Sequence, residues 1–280
     1  MMSLGQARAC RRGWWIRAWM AAGLLAVMAG CGTQTSAPAA STGSTRELPT
    51  ASDETDTQKR ARIRLELASA YYSQGQMTTA LDELKQALAI EPNLPHAYNL
   101  RGLIYSNLNE SQLAEESFRR ALQMDSRDAD VMHNYAWFLC QRKRFPESYA
   151  QFDKAAAVPQ YREVSKTLMA KGVCQARAGD MPEAEKTLAR AYQLDPGNPA
   201  VAMNLALVLY RRGEYERARF YVRRVNGVPE LVNAESLWLA ARIEQKMGNR
   251  TGAIEYGDQL KRRYPRSREA SAFEQGRFDE

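Results

Sequence analysis

Residues 95–128 read PHAYNLRGLIYSNLNESQLAEESFRRALQMDSRD. Tyr98, Gly102, Tyr105, Ala114, Phe118 and Ala121 fall at helical spacing, and Ser126 stands near the end of the unit. The same order recurs on both sides at a nearly fixed interval of 34 residues. Before it, from Ala61, come Leu67, Ala68, Tyr71, Gly75, Ala80, Leu84, Ala87 and Pro92. After it, from Ala129, come Met132, Tyr135, Ala136, Leu139, Ser148, Phe152, Ala155 and an early Pro159. An insertion of about five residues precedes the next unit, which starts at Ser165 with Leu168, Gly172, Gly179, Ala184, Leu188, Ala191 and Pro196. A fifth unit from Pro199 carries Leu205, Ala206, Leu209, Gly213, Ala218, Val222 and Pro229. The sixth, from Ala234, carries Leu237, Ala240, Ala241, Gly248, Ala253, Leu260 and Pro265.

The residue types have physical reasons. Small residues at positions 8 and 20 let the two helices of a unit cross closely, and large ones at 4, 11 and 24 fill the space between units. Proline near position 32 cannot continue the second helix and so fixes the turn into the next unit. The pattern resembles the tetratricopeptide repeat, W-x2-L-G-x2-Y, then A-x3-F, then P. That resemblance implies an all-α fold, a right-handed superhelical solenoid of six tetratricopeptide (helix-turn-helix) repeats. The repeats lie near 61–94, 95–128, 129–160, 165–198, 199–230 and 234–267, within a domain at 58–270 and ahead of a C-terminal tail at 271–280. Arg64, Gln175, Glu244 and Gly257 depart from the pattern, and the terminal units should be atypical caps.

The N-terminal end is of another kind. Residues 1–30 carry Arg8, Arg11, Arg12 and Arg17 with no acid, then an apolar stretch over Ala18–Ala29. The apolar core is too short to span a membrane permanently, which reads as a secretory signal. Val27-Met28-Ala29-Gly30-Cys31 looks like a bacterial lipobox, although Met28 stands where leucine is usual. The resemblance implies cleavage before a lipidated Cys31; an ordinary cleaved signal with an incidental cysteine is the alternative. Several acyl chains on one residue anchor stably, at about 0.8 kcal/mol per buried CH₂. Gly32 follows, where lipoproteins retained at the inner membrane usually show Asp, so the expected address is the outer membrane, lipid-anchored on its periplasmic face. Residues 31–57, rich in Ser, Thr, Ala and Pro, hold Leu48 as their only large apolar residue. Such a segment buries too little apolar area to offset its ordering entropy and is expected to be a flexible tether.

Charge and composition exclude several classes. The whole chain has a formal charge of +7 and 39 basic residues. Removing the four arginines of the signal leaves 35 basic against 32 acidic residues, a net of +3, which argues against a nucleic-acid partner. Four cysteines are too few for a disulfide-dense mini-protein. The two histidines, His96 and His133, have no carboxylate or cysteine cluster to complete a metal set, so neither a metal nor a cofactor is expected. No P-loop, GxSxG, HExxH or paired-carboxylate signature is present, and neither catalytic residues nor a small-molecule substrate are expected.

The first helix of each unit would line a concave groove with positions 2, 5, 9 and 12, which share one helix face. In the first three units these include Leu65 and Tyr72, Asn99 and Leu103, and His133 and Trp137. Large apolar residues on a nominally wet face suggest a partner surface; burial by superhelical neighbours is the alternative. Arg211-Arg212, Arg223-Arg224 and Arg262-Arg263 stand close to Glu214, Glu216 and Asp258 and read as a salt-bridged, solvated face.

Asn134-Tyr135-Ala136-Trp137-Phe138-Leu139-Cys140, Arg144-Phe145-Pro146-Glu147-Ser148, Lys171-Gly172-Val173-Cys174 and Ala253–Lys261 before Tyr264-Pro265 are together similar to the type IV pilus biogenesis/stability lipoproteins. The similarity covers essentially the whole chain, with Ala136 where that family more often has glycine. It implies a monomeric, non-enzymatic secretin pilotin that binds the type IV pilus secretin and promotes its localisation and multimerisation at the outer membrane. It also implies a disulfide between Cys140 and Cys174, since proteins resembling this chain carry cysteines at both places and the periplasm is oxidising; two buried free thiols are the alternative. A scaffold for another envelope assembly machine, or a periplasmic thiol or hydrolytic enzyme using the cysteines or histidines, are the competing readings.

Overall fold

A computed structural model describes residues 54–279 of the chain. Cys31, the signal and residues 31–53 of the tether lie outside the described residues. Among those described there are thirteen helices and no strand. The first twelve pair as units: α1 (Asp56–Ser73) with α2 (Met77–Ile90), α3 (Pro95–Asn107) with α4 (Ser111–Met124), and α5 (Ala129–Gln141) with α6 (Phe145–Ala156). They continue as α7 (Val164–Arg177) with α8 (Met181–Leu194), α9 (Pro199–Arg211) with α10 (Tyr215–Asn226), and α11 (Ala234–Lys246) with α12 (Arg250–Arg263). A short α13 (Arg268–Glu274) ends the array.

Each first helix packs on its own partner and on the first helix of the next unit, whereas second helices touch only first helices and α13. A stack in which one set of helices is continuous and the other splayed must curve, with the continuous set on the inside. The core follows suit: it is a chain of small clusters rather than one centre. Its repeating contact joins position 8 to position 24. A Cβ on Gly102 would stand 2.7 Å from the Phe118 ring, and one on Gly172 would stand 2.6 Å from Leu188, so both sites need glycine for the helices to approach this closely.

Position 15 of every unit turns the chain with a left-handed residue. Four are glycines, Gly75, Gly179, Gly213 and Gly248, and the others are Asn109 (φ 62°) and Lys143 (φ 59°). The repeat therefore demands a conformation at this place even where the residue is a poor match to it.

The four departures from the pattern each have a visible consequence. Arg64 pairs with Glu83 of α2 at 2.7 Å. Glu244 is buried in α11 and accepts from Arg219 Nε (2.8 Å), Arg223 (3.1 Å) and Asn249 (2.7 Å), which ties unit six to α10. Two other inter-unit ties have the same form: Glu115 of α4 accepts from Arg144 (2.7 Å) and Tyr135 (2.9 Å), and Glu185 of α8 pairs with Arg212 and Arg217. Of the arginines read as a salt-bridged, solvated face, Arg212 and Arg223 thus also hold neighbouring units together. Gln175 is buried with its Oε1 unpaired. Gly257 receives Phe273 of α13.

Two boundaries differ from those expected. Thr55 caps α1 with a capping box to Gln58, so the repeat domain begins ahead of 58. The boundary drawn at 270 falls inside α13, and the residues after it are packed rather than trailing: Phe278 meets Trp238, with ring centroids 5.2 Å apart.

Candidate functional site

The inner face is built from first helices, so its residues repeat at about the repeat interval and meet across unit boundaries. Tyr72 of α1 accepts a hydrogen bond from Asn107 of α3 (3.2 Å), and Asn107 also donates to the Leu103 carbonyl (2.9 Å). Asn134 of α5 donates to Asn99 of α3 (3.2 Å). His133 of α5 bonds Thr167 of α7 through Nδ1 (2.9 Å). The Trp137 ring lies 4.8 Å from the Arg177 guanidinium. Leu65 and Tyr72 pack against Ala68, Ala97 and Leu100, and Leu103 packs against the Phe118 cluster. All six, Leu65, Tyr72, Asn99, Leu103, His133 and Trp137, are half-buried. Each therefore takes part in the stacking of units and remains partly exposed.

His133 is the most constrained of the six. Burial, with a smaller push from Lys166 and against the pull of Asp130, lowers it from the ordinary 6.5 to about 4. Tyr161, from the insertion between units three and four, donates to Asp130 (3.2 Å) and lies 3.3 Å from Thr167. Burial pushes its hydroxyl up to about 12, and the neighbouring Asp130 adds to this. The insertion is thus stapled to both units it separates. Beside it Cys140 of α5 and Cys174 of α7 are joined, with Sγ atoms 2.08 Å and Cα atoms 5.9 Å apart. Both are buried among Ala136, Phe152 and Trp137, and the Ser148 hydroxyl lies 3.6 Å from Cys174 Sγ.

The chemistry available to these groups is limited. Among the described residues the hydroxyl that His133 meets is that of Thr167, which is wholly buried. His96 is exposed and stands 3.7 Å from Asp128, away from His133's partners. Among the described residues no cluster of histidine, cysteine and carboxylate groups could hold a metal ion, and no helix is long and apolar enough to cross a membrane.

Another concavity lies in the C-terminal units. A cavity of about 1240 Å³ is floored by Met203 and Leu207 of α9 and Trp238 of α11, and walled by residues 230–233 and the start of α13. Met203 and Leu207 are positions 5 and 9 of unit five, and Trp238 and Arg242 are the same positions of unit six. Extending the position rule to the sixth unit points to these two residues. Nothing in the spacing points to the α13 wall, because a single seven-residue helix has no period.

Known proteins bear on this geometry. Tetratricopeptide-repeat models match residues 68–109, 95–128, 175–227 and 235–267. The chain is 32% identical over 211 residues to the type IV pilus assembly protein PilF of Pseudomonas aeruginosa, covering 75% of this chain and 83% of that one. Its fold superposes on the crystal structure of PilW, a widely conserved type IV pilus biogenesis factor, with a TM-score of 0.70, 33% identity, and 76% and 97% of the two chains covered. A Pseudomonas aeruginosa PilF structure matches with a TM-score of 0.65 and 30% identity, over 79% of this chain and all of that one.

Proposed function

Since this chain belongs to the PilF/PilW family of type IV pilus biogenesis proteins, we propose that it is a non-enzymatic scaffold that binds subunits of the pilus secretin and promotes their multimerisation in the outer membrane. The observation that carries the reading is the inner face of α1, α3, α5 and α7. Its half-buried aromatic and amide side chains are held by hydrogen bonds from one unit to the next, so the surface is ordered before any partner arrives. A preformed surface spends little free energy on ordering when it binds. A role in binding, with no catalytic step, also accords with the oxidised, buried cysteines and the inaccessible Thr167 hydroxyl.

In this proposal Cys31 is acylated, and the lipid holds the solenoid at the periplasmic face of the outer membrane. The tether at 31–57 confines the groove near that surface and raises the local concentration of the subunits it carries. The repeat domain would act as a monomer. A deletion strain probed for detergent-resistant secretin multimers tests the scaffold role: loss of multimers and of surface pili is expected, and their persistence would overturn it. General outer-membrane defects in place of pilus loss would favour another envelope machine. A strain carrying Cys31→Ala separates delivery from binding, because the groove is untouched by that change.

A further inference from the structure

The cavity over α9, α11 and α13 carries five arginines, Arg211, Arg242, Arg266, Arg268 and Arg277, against three glutamates, Glu230, Glu235 and Glu269. Among the described residues none of these glutamates forms an ion pair with Arg211, Arg242, Arg266 or Arg268. The guanidinium groups of Arg211, Arg266 and Arg268 have no hydrogen-bond or ion-pair partner among the described residues, whereas Arg144, Arg212, Arg217, Arg219 and Arg223 are all paired. Beneath the three lie Met203, Leu207 and Trp238. At about 1240 Å³ the space exceeds the roughly 300–1,000 Å³ of small-molecule sites, which favours a polypeptide segment as its occupant.

The chain's own end shows what the adjoining surface holds. Along the inner face of α11, Trp238 meets the Phe278 ring (5.2 Å between centroids), and Arg242 Nε donates to the Phe278 carbonyl (2.9 Å). One turn further on, Lys246 pairs with Asp279 (2.5 Å). An aromatic residue followed by a carboxylate is thus already bound by this helix, through an apolar platform at Trp238 and a basic group at Lys246, eight residues further on. The cavity next to it offers the same two elements, an apolar floor and, in Arg211, Arg266 and Arg268, guanidinium groups without a partner among the described residues.

We propose that this cavity docks a segment of another protein that carries a large apolar side chain beside one or more carboxylates. The apolar side chain would rest on Met203 and Leu207, beside the edge of Trp238 that Phe278 leaves uncovered, and the carboxylates would meet Arg211, Arg266 and Arg268. The inference rests on the scaffold reading above and adds a second contact, distant from the early-repeat groove, together with the chemistry of the segment it takes.

The test is a titration of the full-length chain in detergent with short fluorescein-labelled peptides in which Gly-Ser spacers flank Leu-Phe-Asp-Asp. Companion peptides carry Asn for both Asp residues, or Ser for Leu and Phe. Saturable binding of the acidic apolar peptide is expected, weakened about tenfold or more in either companion and by added salt. The R211E/R268E double variant, altered only at exposed side chains, should keep its helical circular dichroism and lose binding to the same extent. A variant on the exposed side of α8, Leu194→Glu, should bind as the parent does. Absence of saturable binding, equal affinity for the acidic and amide peptides, or unchanged binding by R211E/R268E would each overturn the proposal. Because the readout is peptide binding to the isolated chain, it fails or holds independently of secretin multimers in the deletion strain.

Discussion

The ring of Phe273 lies over Gly257, in the space where any larger residue would place its Cβ. Position 24 of the first five units is a large apolar residue, Leu84, Phe118, Phe152, Leu188 or Val222, and in the sixth it is this glycine. The missing side chain is supplied from α13, which stands against α11 and α12 as a seventh first helix would. Gly257→Val should expel the ring and overpack the site, at a cost of about 1–3 kcal/mol. Hydrogen exchange would report it as faster exchange confined to α13 and the end of α12. Protection in α13 equal to that of the parent would show that the ring does not depend on the glycine.

Lys143 offers the opposite case, a gain in stability. It is exposed and adopts φ 59° at the turn position where four other units use glycine. Lys143→Gly removes the Cβ penalty of the left-handed conformation and adds backbone freedom to the unfolded chain. The net expectation is a stabilisation of about 0.5–1 kcal/mol, read as a raised urea midpoint with unchanged slope. A lowered midpoint would mean that the lysine makes a compensating contact.

The bond between Cys140 and Cys174 spans 34 residues and two units. In the chain-entropy account, closing such a loop contributes about 3–4 kcal/mol by restricting the unfolded state. Cys140→Ser with Cys174→Ser should lower the melting temperature, with the earliest loss in α5 and α7. Denatured parent protein should show no reactive thiol from this pair before reduction and two after. Two reactive thiols without reductant would contradict the bridge.

His133 gives a pH signature with a defined sign. Its folded value is about 4 against 6.5 ordinarily, so the unfolded chain binds the extra proton between these limits. The contribution is therefore fully present above pH 6.5 and is lost as pH falls towards 4. The groups acting on it are Lys166, which lowers it further, and Asp130, which opposes. His133→Asn should flatten the stability profile of the parent across that window, leaving the slope due to carboxylates such as Glu115. For Glu115, burial acts to raise it and is outweighed by Arg144 and Tyr135, which hold it below the usual range. Parallel profiles for parent and variant would remove His133 from the account.

The sequence carried the register of the six units because each position has one local job: small at 8, large at 24, left-handed at 15. Arg64, Glu244 and Gly257 were visible as breaks in that register, but their partners Glu83, Arg219 and Phe273 sit on other helices, and periodicity says nothing about those. The same holds for the groove. Its face could be read from positions 5 and 9, whereas the closing of a cavity by α13 depends on how a short aperiodic segment packs. Basic pairs such as Arg211-Arg212 divide in space, with Arg212 tied to Glu185 and Arg211 lining the cavity. No one-dimensional pattern separates the two roles.

The central claim is that the inner face of the early repeats binds the secretin. Its most direct measurement is the yield of detergent-resistant secretin multimers in cells carrying Leu65→Glu with Leu103→Glu, beside cells carrying Leu194→Glu on the exposed side of α8. Both variants are first shown to reach the membrane fraction at the parent's level and to melt cooperatively. The account predicts loss of multimers in the groove variant and parental yield in the α8 variant. Parental yield in the folded groove variant would contradict it.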